Sequence, residues 1–319
     1  MTAIRGFVEA IRRPGVLGVH SLDHFSLTVP DLAKASDFYE SFGLTVRPEG
    51  RGFGLYTEGN SHCWGTLTEG PSKKLHYLSF GAFEDDLPRF RDHLHLLNVE
   101  RLSPPPGFES NGLWFRDHDG LPIEIRVAEK SSPNAKSAFA TTSSGPAVRG
   151  AVSRSRAPTI HPRRLAHLAL YTSDVGRAIE FYSRALGLRL SDSSEGAVAF
   201  MHGVHGSDHH LVAFGKSSGP GLHHCSWDVG AVREIGLGAM QMANKGFVAG
   251  WGMGQHVLGS NYFHYVRDPW GSYSEYSADM DYIPVDVEWA AGDHPGEDSF
   301  YLWGPTPPVD FGRNFEAET

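Results

Sequence analysis

The chain has 319 residues and a formal net charge of −9, from 28 basic and 37 acidic side chains, with 40% hydrophobic, 12% aromatic and 20% charged residues. That length accommodates about two globular domains, and the composition excludes a peptide, a disulfide-stapled miniprotein and an intrinsically disordered chain. The acidic balance, with no concentrated run of Lys and Arg, excludes the phosphate-neutralising surface of a nucleic-acid-binding protein.

No stretch approaches the roughly 18 consecutive apolar residues that span a bilayer, and Arg5, Arg12 and Arg13 interrupt the opening where a secretory leader needs a continuous apolar core. No membrane association is expected, and the cytoplasm is the expected compartment. Cys63 and Cys225 are too few for a disulfide framework or a thiolate zinc site. Histidine is the unusual residue: 18 in all, with His202, His205, His209, His210, His223 and His224 in one short stretch.

In chain order, the first signal is the alternation from Leu22 to Val29, which predicts a strand. Asp31 follows as a helix N-cap and Gly43 as a C-cap around a helix containing Phe38 and Tyr39. Further strands are predicted at Phe53 to Thr57, Leu75 to Phe80, Leu113 to Arg116 and Pro122 to Val127. Residues 128–162, rich in Ser, Ala and Pro without apolar periodicity, read as a linker. The pattern then begins again. Leu165 to Asp174 echoes Leu22 to Asp31, Phe181 and Tyr182 echo Phe38 and Tyr39, and His167 stands 143 residues after His24. Gly187 closes the second helix. Strands are predicted at Val198 to His202, His210 to Phe214, Leu222 to Val229, Tyr262 to Val266 and Tyr273 to Ser277. Near the end of each unit, Phe115-Arg-Asp-His-Asp-Gly120 with Glu124 matches Val266-Arg-Asp-Pro-Trp-Gly271 with Glu275, at an offset of 151 residues. The chain is therefore expected to hold an N-terminal domain at 1–127, a repeat of it at 163–285, and a tail at 286–319 that is a possible lid.

The repeat brings His167 and Glu275 from opposite ends of the second unit towards one site. A third ligand comes from the His223-His224 pair; neighbours on a regular strand face opposite ways, so only one can join. Two imidazoles and one carboxylate form the facial triad of non-haem iron, which leaves coordination positions for substrate and dioxygen. The H-E-x-x-H helix of zinc proteases is absent. Singly, a strand histidine or an edge glutamate is more often structural; their joint occurrence favours a site.

Gly254-Gln-His256, Tyr265, Asp268-Pro-Trp-Gly271 and Glu275 together resemble the signature of type I extradiol ring-cleaving dioxygenases, of the vicinal oxygen chelate superfamily. His210, fourteen residues before His224, lies in a stretch similar to that of homoprotocatechuate-type enzymes. The resemblance covers about residues 19–285. It implies an α+β fold of two tandem vicinal oxygen chelate domains built from repeated βαβββ modules, the C-terminal one enclosing the metal. It implies metal ligation by His167, His224 and Glu275, acid-base work by His210, and hydrogen bonding around the substrate by His256 and Tyr265. The implied metal is iron(II), with manganese(II) as the alternative. The implied partners are a small aromatic diol and dioxygen, and a homo-oligomer is expected.

His223 is expected to face away and to pack or support its neighbour, Cys225 to be a buried strand residue, and His202, His205 and His209 to lie in a polar loop. A pocket of neutral or apolar character is expected from Trp251, Ala169, Phe300, Tyr301 and Trp303, with Arg313 the one basic residue in the tail. In the first unit, Tyr77, Trp114 and Pro105 take the places of His224, Tyr265 and His256, so it is expected to keep the shape without the chemistry. The competing readings are a non-redox, glyoxalase-like metalloenzyme and a binding protein that sequesters aromatic compounds without turnover.

Overall fold

The computed structural model describes residues 11–141 and 144–318, so the expectation attached to Arg5 lies outside the described residues. The first domain runs β1 (Ser21–Val29), α1 (Leu32–Ser41), β2 (Thr45–Glu49), β3 (Gly52–Tyr56), β4 (Gly65–Glu69), β5 (Lys74–Ala82), α2 (Asp86–Leu96), β6 (Arg101–Leu102), β7 (Leu113–Arg116) and β8 (Pro122–Val127). This is βαβββ twice. The second domain repeats it with β9 (Arg164–Thr172), α3 (Val175–Leu186), β10 (Arg189–Ser194), β11 (Val198–His202), β12 (Ser207–Asp208), β13 (Val212–Lys216), β14 (Gly221–Asp228), α4 (Val232–Asn244), β15 (Gly250–His256), β16 (Tyr262–Arg267) and β17 (Tyr273–Ala278). Short strands β18 (Tyr282–Ile283), β19 (Gly292–Asp293) and β20 (Tyr301–Trp303) follow.

The first sheet has the order β2-β3-β4-β1-β5-β8-β7-β6, and the second β19-β10-β11-β13-β9-β14-β17-β16-β15-β20. In each, the two βαβββ units meet at a central antiparallel pair, β1 with β5 and β9 with β14. The helix that each first strand feeds starts the same way. Asp31 and Asp174 are extended, and their carboxylates accept from the amides of Lys34 and Arg177, capping donors that the first turn leaves unpaired. Gly187 ends α3 in the left-handed region at φ 74°, and Gly43 follows α1 at φ 98°. A Cβ on Gly43 would also stand 2.0 Å from the Ile160 carbonyl, so glycine is required there twice over.

The implied βαβββ repeat requires a second helix in each domain, although the residue pattern placed neither. α2 carries Pro88 and α4 carries Gly236 and Gly238, residues that weaken a helical pattern in sequence. Pro88 sits in the first turn, where no intrahelical donor is lost. Gly238 lies against the Tyr276 ring, where a Cβ would come within 2.7 Å, so close packing explains a residue that propensity disfavours. The segment around His210 is another difference, because β13 starts only at Val212.

One continuous core runs through both sheets. Phe42 of the first domain stacks on Tyr276 of the second, with centroids 3.8 Å apart, and the Tyr276 hydroxyl donates to the Phe42 carbonyl. Full burial of such a ring stabilises by about 1.5–3 kcal/mol. The stretch between the domains is anchored at both ends: Ser131 Oγ donates to the Leu22 carbonyl, and Ile160 is buried in the core. The tail returns to the seam, where the Glu316 carboxylate accepts from Lys73 and from the Leu75 and Leu222 amides. Cys63 and Cys225 are free thiols, the latter buried. Among the described residues no helix is long and apolar enough to cross a membrane.

Candidate metal centre and active site

Register assembles the site. His167 on β9 pairs with Ser226 on β14, and Ser226 pairs with Glu275 on β17, so a small residue separates two large ones in a cross-strand row. His224, two residues before Ser226, shares its face. The three side chains close over Ser226. His167 Nε2 lies 3.1 Å from His224 Nε2 and 3.4 Å from Glu275 Oε2, and His224 Nε2 lies 3.6 Å from that oxygen.

These atoms suit a divalent ion. Ligands on roughly 2.1 Å bonds stand about 3 Å apart when cis and about 4.2 Å when trans, so three similar short separations describe a facial set. Glu275 is fully buried, yet its Oε2 has no hydrogen-bond partner. Such an orphaned carboxylate oxygen is costly without a cation, and two imidazole nitrogens aimed at each other need one as well. Burial raises the Glu275 pKa, but the adjacent imidazoles, His167 first and His256 after it, outweigh it and hold the carboxyl below its ordinary value. Burial, then the neighbouring imidazoles, push His224 well below the usual histidine value. A neutral imidazole is the form that ligates metal.

Around this triad, His210 packs against His167 with centroids 4.1 Å apart and ring planes tilted by 54°, and is itself almost fully buried. Behind it stands a chain absent from the sequence reading. Asp192 Oδ2 accepts from His209 Nε2 at 2.9 Å, and His209 Nδ1 faces His210 Nδ1 at 3.1 Å. The carboxylate fixes the proton of His209 on Nε2, so Nδ1 accepts from His210 and leaves the Nε2 lone pair of His210 free. Burial works against the charge of Asp192, yet its bonds to His209 and His294 lower its pKa to about 2. His202, His205 and His209 are thus buried and bonded, not part of a solvated loop.

On the opposite side, His256 Nε2 accepts from the Tyr265 hydroxyl at 2.8 Å, while His256 Nδ1 donates to the Phe300 carbonyl. Burial, then the Glu275 charge, keep the Tyr265 phenol well above its ordinary pKa. Asn261 also went unnoticed: its amide donates to Glu275 Oε1 at 3.3 Å and to Ser277. Its place between His256 and Tyr265 was the available signal.

A cavity of about 400 Å³ opens beside the triad, lined by Ala169, Ala213, Phe200, Phe300 and Phe311 among others. Trp251, Tyr301 and Trp303 do not line it. Trp251 packs behind Tyr265 and donates to the Pro305 carbonyl, while β20 directs Trp303 to Gln255 at the surface. Arg313 pairs with Glu318 outside the cavity. His223 also departs from expectation. It lines the cavity beside His224 because it is the extra residue of a β-bulge between Leu222 and His224, and a bulge defeats strict alternation.

The first domain has the same registers, with His24 opposite Ser79, Ser79 opposite Glu124, and Tyr77 and Trp114 where His224 and Tyr265 stand. Its polar groups are already spent. His24 bonds Asp23 through Nδ1 and Tyr77 through Nε2, and Glu124 accepts from Ser79 and Ser110. Among the described residues, His167, His224 and Glu275 form the sole cluster suited to a metal.

Residues 21–125 and 164–276 match the family model described as the Glyoxalase/Bleomycin resistance protein/Dioxygenase superfamily. The chain belongs to this superfamily. Metapyrocatechase 2 of Cupriavidus necator is 49% identical over 299 residues, covering 94% of this chain and 93% of the relative. Among solved structures, homoprotocatechuate 2,3-dioxygenase of Brevibacterium fuscum superposes with a TM-score of 0.74 at 21% identity, covering 95% of each chain. The Mn(II)-bound glyoxalase of Novosphingobium aromaticivorans gives 0.73 at 20% identity, covering 92% of this chain and 94% of that one. At such identities the two structures establish the shared superfamily fold.

Proposed function

We propose that this protein opens a catechol-type aromatic diol beside its hydroxyl pair, using dioxygen at a metal held by His167, His224 and Glu275, to give a 2-hydroxymuconic semialdehyde-type product. The observation that carries this reading is the orphaned carboxylate of Glu275 facing two imidazole nitrogens in a chain 49% identical to a metapyrocatechase. His167, His224 and Glu275 would hold a divalent ion, iron(II) being the proposed one and manganese(II) the alternative, which would supply Lewis-acid chemistry that lowers the pKa of a diol hydroxyl.

The chain supplies the rest. His210 Nε2, neutral because burial first and adjacent imidazoles second hold its pKa well below the ordinary value, takes the diol proton and returns it to the oxygen side. Tyr265 stays protonated, and with His256 it holds a fixed hydrogen-bond pattern beside Glu275. Phe200, Phe300 and Phe311 exclude water from the ring. The same reading places the enzyme in the cytoplasm as a homo-oligomer, which size-exclusion chromatography with light scattering tests.

The test of function is anaerobic reconstitution with iron(II), then oxygen uptake across a panel of catechols. One dioxygen consumed per ring opened supports the reading. A reconstituted protein that consumes no oxygen with any catechol overturns it.

A further inference from the structure

The bulge that turns His223 towards the cavity belongs to the domain fold, because the first domain has its counterpart. There, His76 is the extra residue between Leu75 and Tyr77 in the pairing of β5 with β1. The two bulges differ in what their histidines do. His76 Nδ1 is buried without a hydrogen-bond partner, next to a tyrosine that ligates nothing. His223 Nδ1 lies 2.6 Å from His224 Nδ1, and its Nε2 lies 2.9 Å from the Phe311 carbonyl in the C-terminal tail.

The direction of these bonds follows from the partners. A carbonyl only accepts, so His223 carries its proton on Nε2 and its Nδ1 is an acceptor. His224 must then donate from Nδ1, which leaves the lone pair on Nε2, the atom aimed at His167 and Glu275. The pair His209-His210 repeats this logic with the Asp192 carboxylate as the terminal acceptor.

We propose that His223 is a positioning residue that fixes His224 in the tautomer whose Nε2 faces the metal position, and that through it the tail at Phe311 is coupled to metal binding. The inference rests on the metal reading above. Its consequence is reciprocal: docking of Phe311 raises metal affinity, and metal steadies the tail by the same factor.

Two substitutions separate a relay from simple packing. His223→Leu keeps an apolar contact with the Phe311, Tyr171 and Tyr273 rings but removes both hydrogen bonds. His223→Gln keeps one acceptor for His224 and one donor for Phe311. Iron(II) affinity, measured anaerobically by competition with a chromogenic chelator, is expected to fall about 10- to 100-fold in the leucine variant. In the glutamine variant it should recover most of that loss. Hydrogen exchange at the Phe311 and Arg313 amides, which bond Pro308 and Asp310, should slow when iron(II) binds the unaltered protein and should not respond in the leucine variant.

Unchanged affinity in His223→Leu overturns the proposal, as does a glutamine variant no tighter than leucine. If circular dichroism shows that the leucine variant does not fold, the unaltered protein decides: tail exchange indifferent to iron(II) overturns the coupling. Both readouts omit catechol and oxygen. A protein that binds iron(II) but shows no relay therefore defeats this inference alone, and one that binds no iron(II) defeats the metal reading beneath it.

Discussion

Glu275 and His210 make different demands on the same pocket. The carboxylate is fully buried with one oxygen unbonded, so its replacement by an amide removes the charge that a cation needs there. Glu275→Gln and His224→Ala should each abolish stoichiometric metal, against about one ion per chain in the unaltered protein, by elemental analysis after anaerobic loading. About two ions per chain would place a second site in the first domain and contradict the hydrogen-bonded saturation of His24 and Glu124. His210→Asn should retain the metal and turn over more slowly by about 100- to 10,000-fold, the ordinary range of general acid-base catalysis, and unchanged turnover would remove it from proton transfer. Asp192→Asn tests the chain behind it, and a fall in kcat with little change in KM is expected. The proposed metal ligands were legible because ligands have few chemical identities and the repeat supplied their spacing. His209, Asp192 and Asn261 were not, because their roles exist only in hydrogen bonds between segments that are distant in sequence or hidden in irregular turns.

At the scale of elements, alternation and caps identified the long strands and both leading helices, while bulges and close packing concealed the rest. A strand is read as two faces, and the extra residue at His223 moves a side chain from one to the other without any signal in composition. α4 was hidden by Gly236 and Gly238, the second of which is needed against Tyr276. The floor of the cavity follows from regular pairing: Ala169 pairs with Ala213, and Phe200 flanks them. Among the described residues, the sole Lys or Arg on its wall is Lys216, which is exposed, and the tail contributes Phe300 and Phe311. A ring substituent bearing a carboxylate would therefore lose hydration without gaining a charge-assisted partner, a difference of about 1.5–3 kcal/mol or roughly 10- to 100-fold. The ratio of kcat/KM for 4-methylcatechol to that for homoprotocatechuate should exceed tenfold on this basis, and preference for the acid would show that Lys216 reaches inward.

Across the whole molecule, the two sheets behave as one body held at a seam in which histidines are buried. His20 donates to or accepts from Ser21 and bonds the Ala128 carbonyl, His205 bonds the Gly18 carbonyl and the Arg13 amide, and Phe83 packs between the two rings. His202 bonds Ser191 nearby. Burial is the first cause that lowers all three to about 4, from an ordinary value near 6.5. Between those limits the unfolded chain binds protons that the folded chain refuses, so stability rises with pH across the window and is lost as pH falls from about 6.5 towards 4. Each such histidine contributes a slope of up to about 1.4 kcal/mol per pH unit, and three together roughly 4. Set against a typical stability of about 5–15 kcal/mol, that slope is enough to unfold the protein within a few pH units of neutrality. Urea midpoints of the metal-free protein should fall steeply from pH 7 to pH 5, and His20→Gln, which removes one titrating group, should flatten the decline. A midpoint that stays constant over this range would show that the seam admits protons or water, and that the two domains are less tightly joined than their shared core indicates.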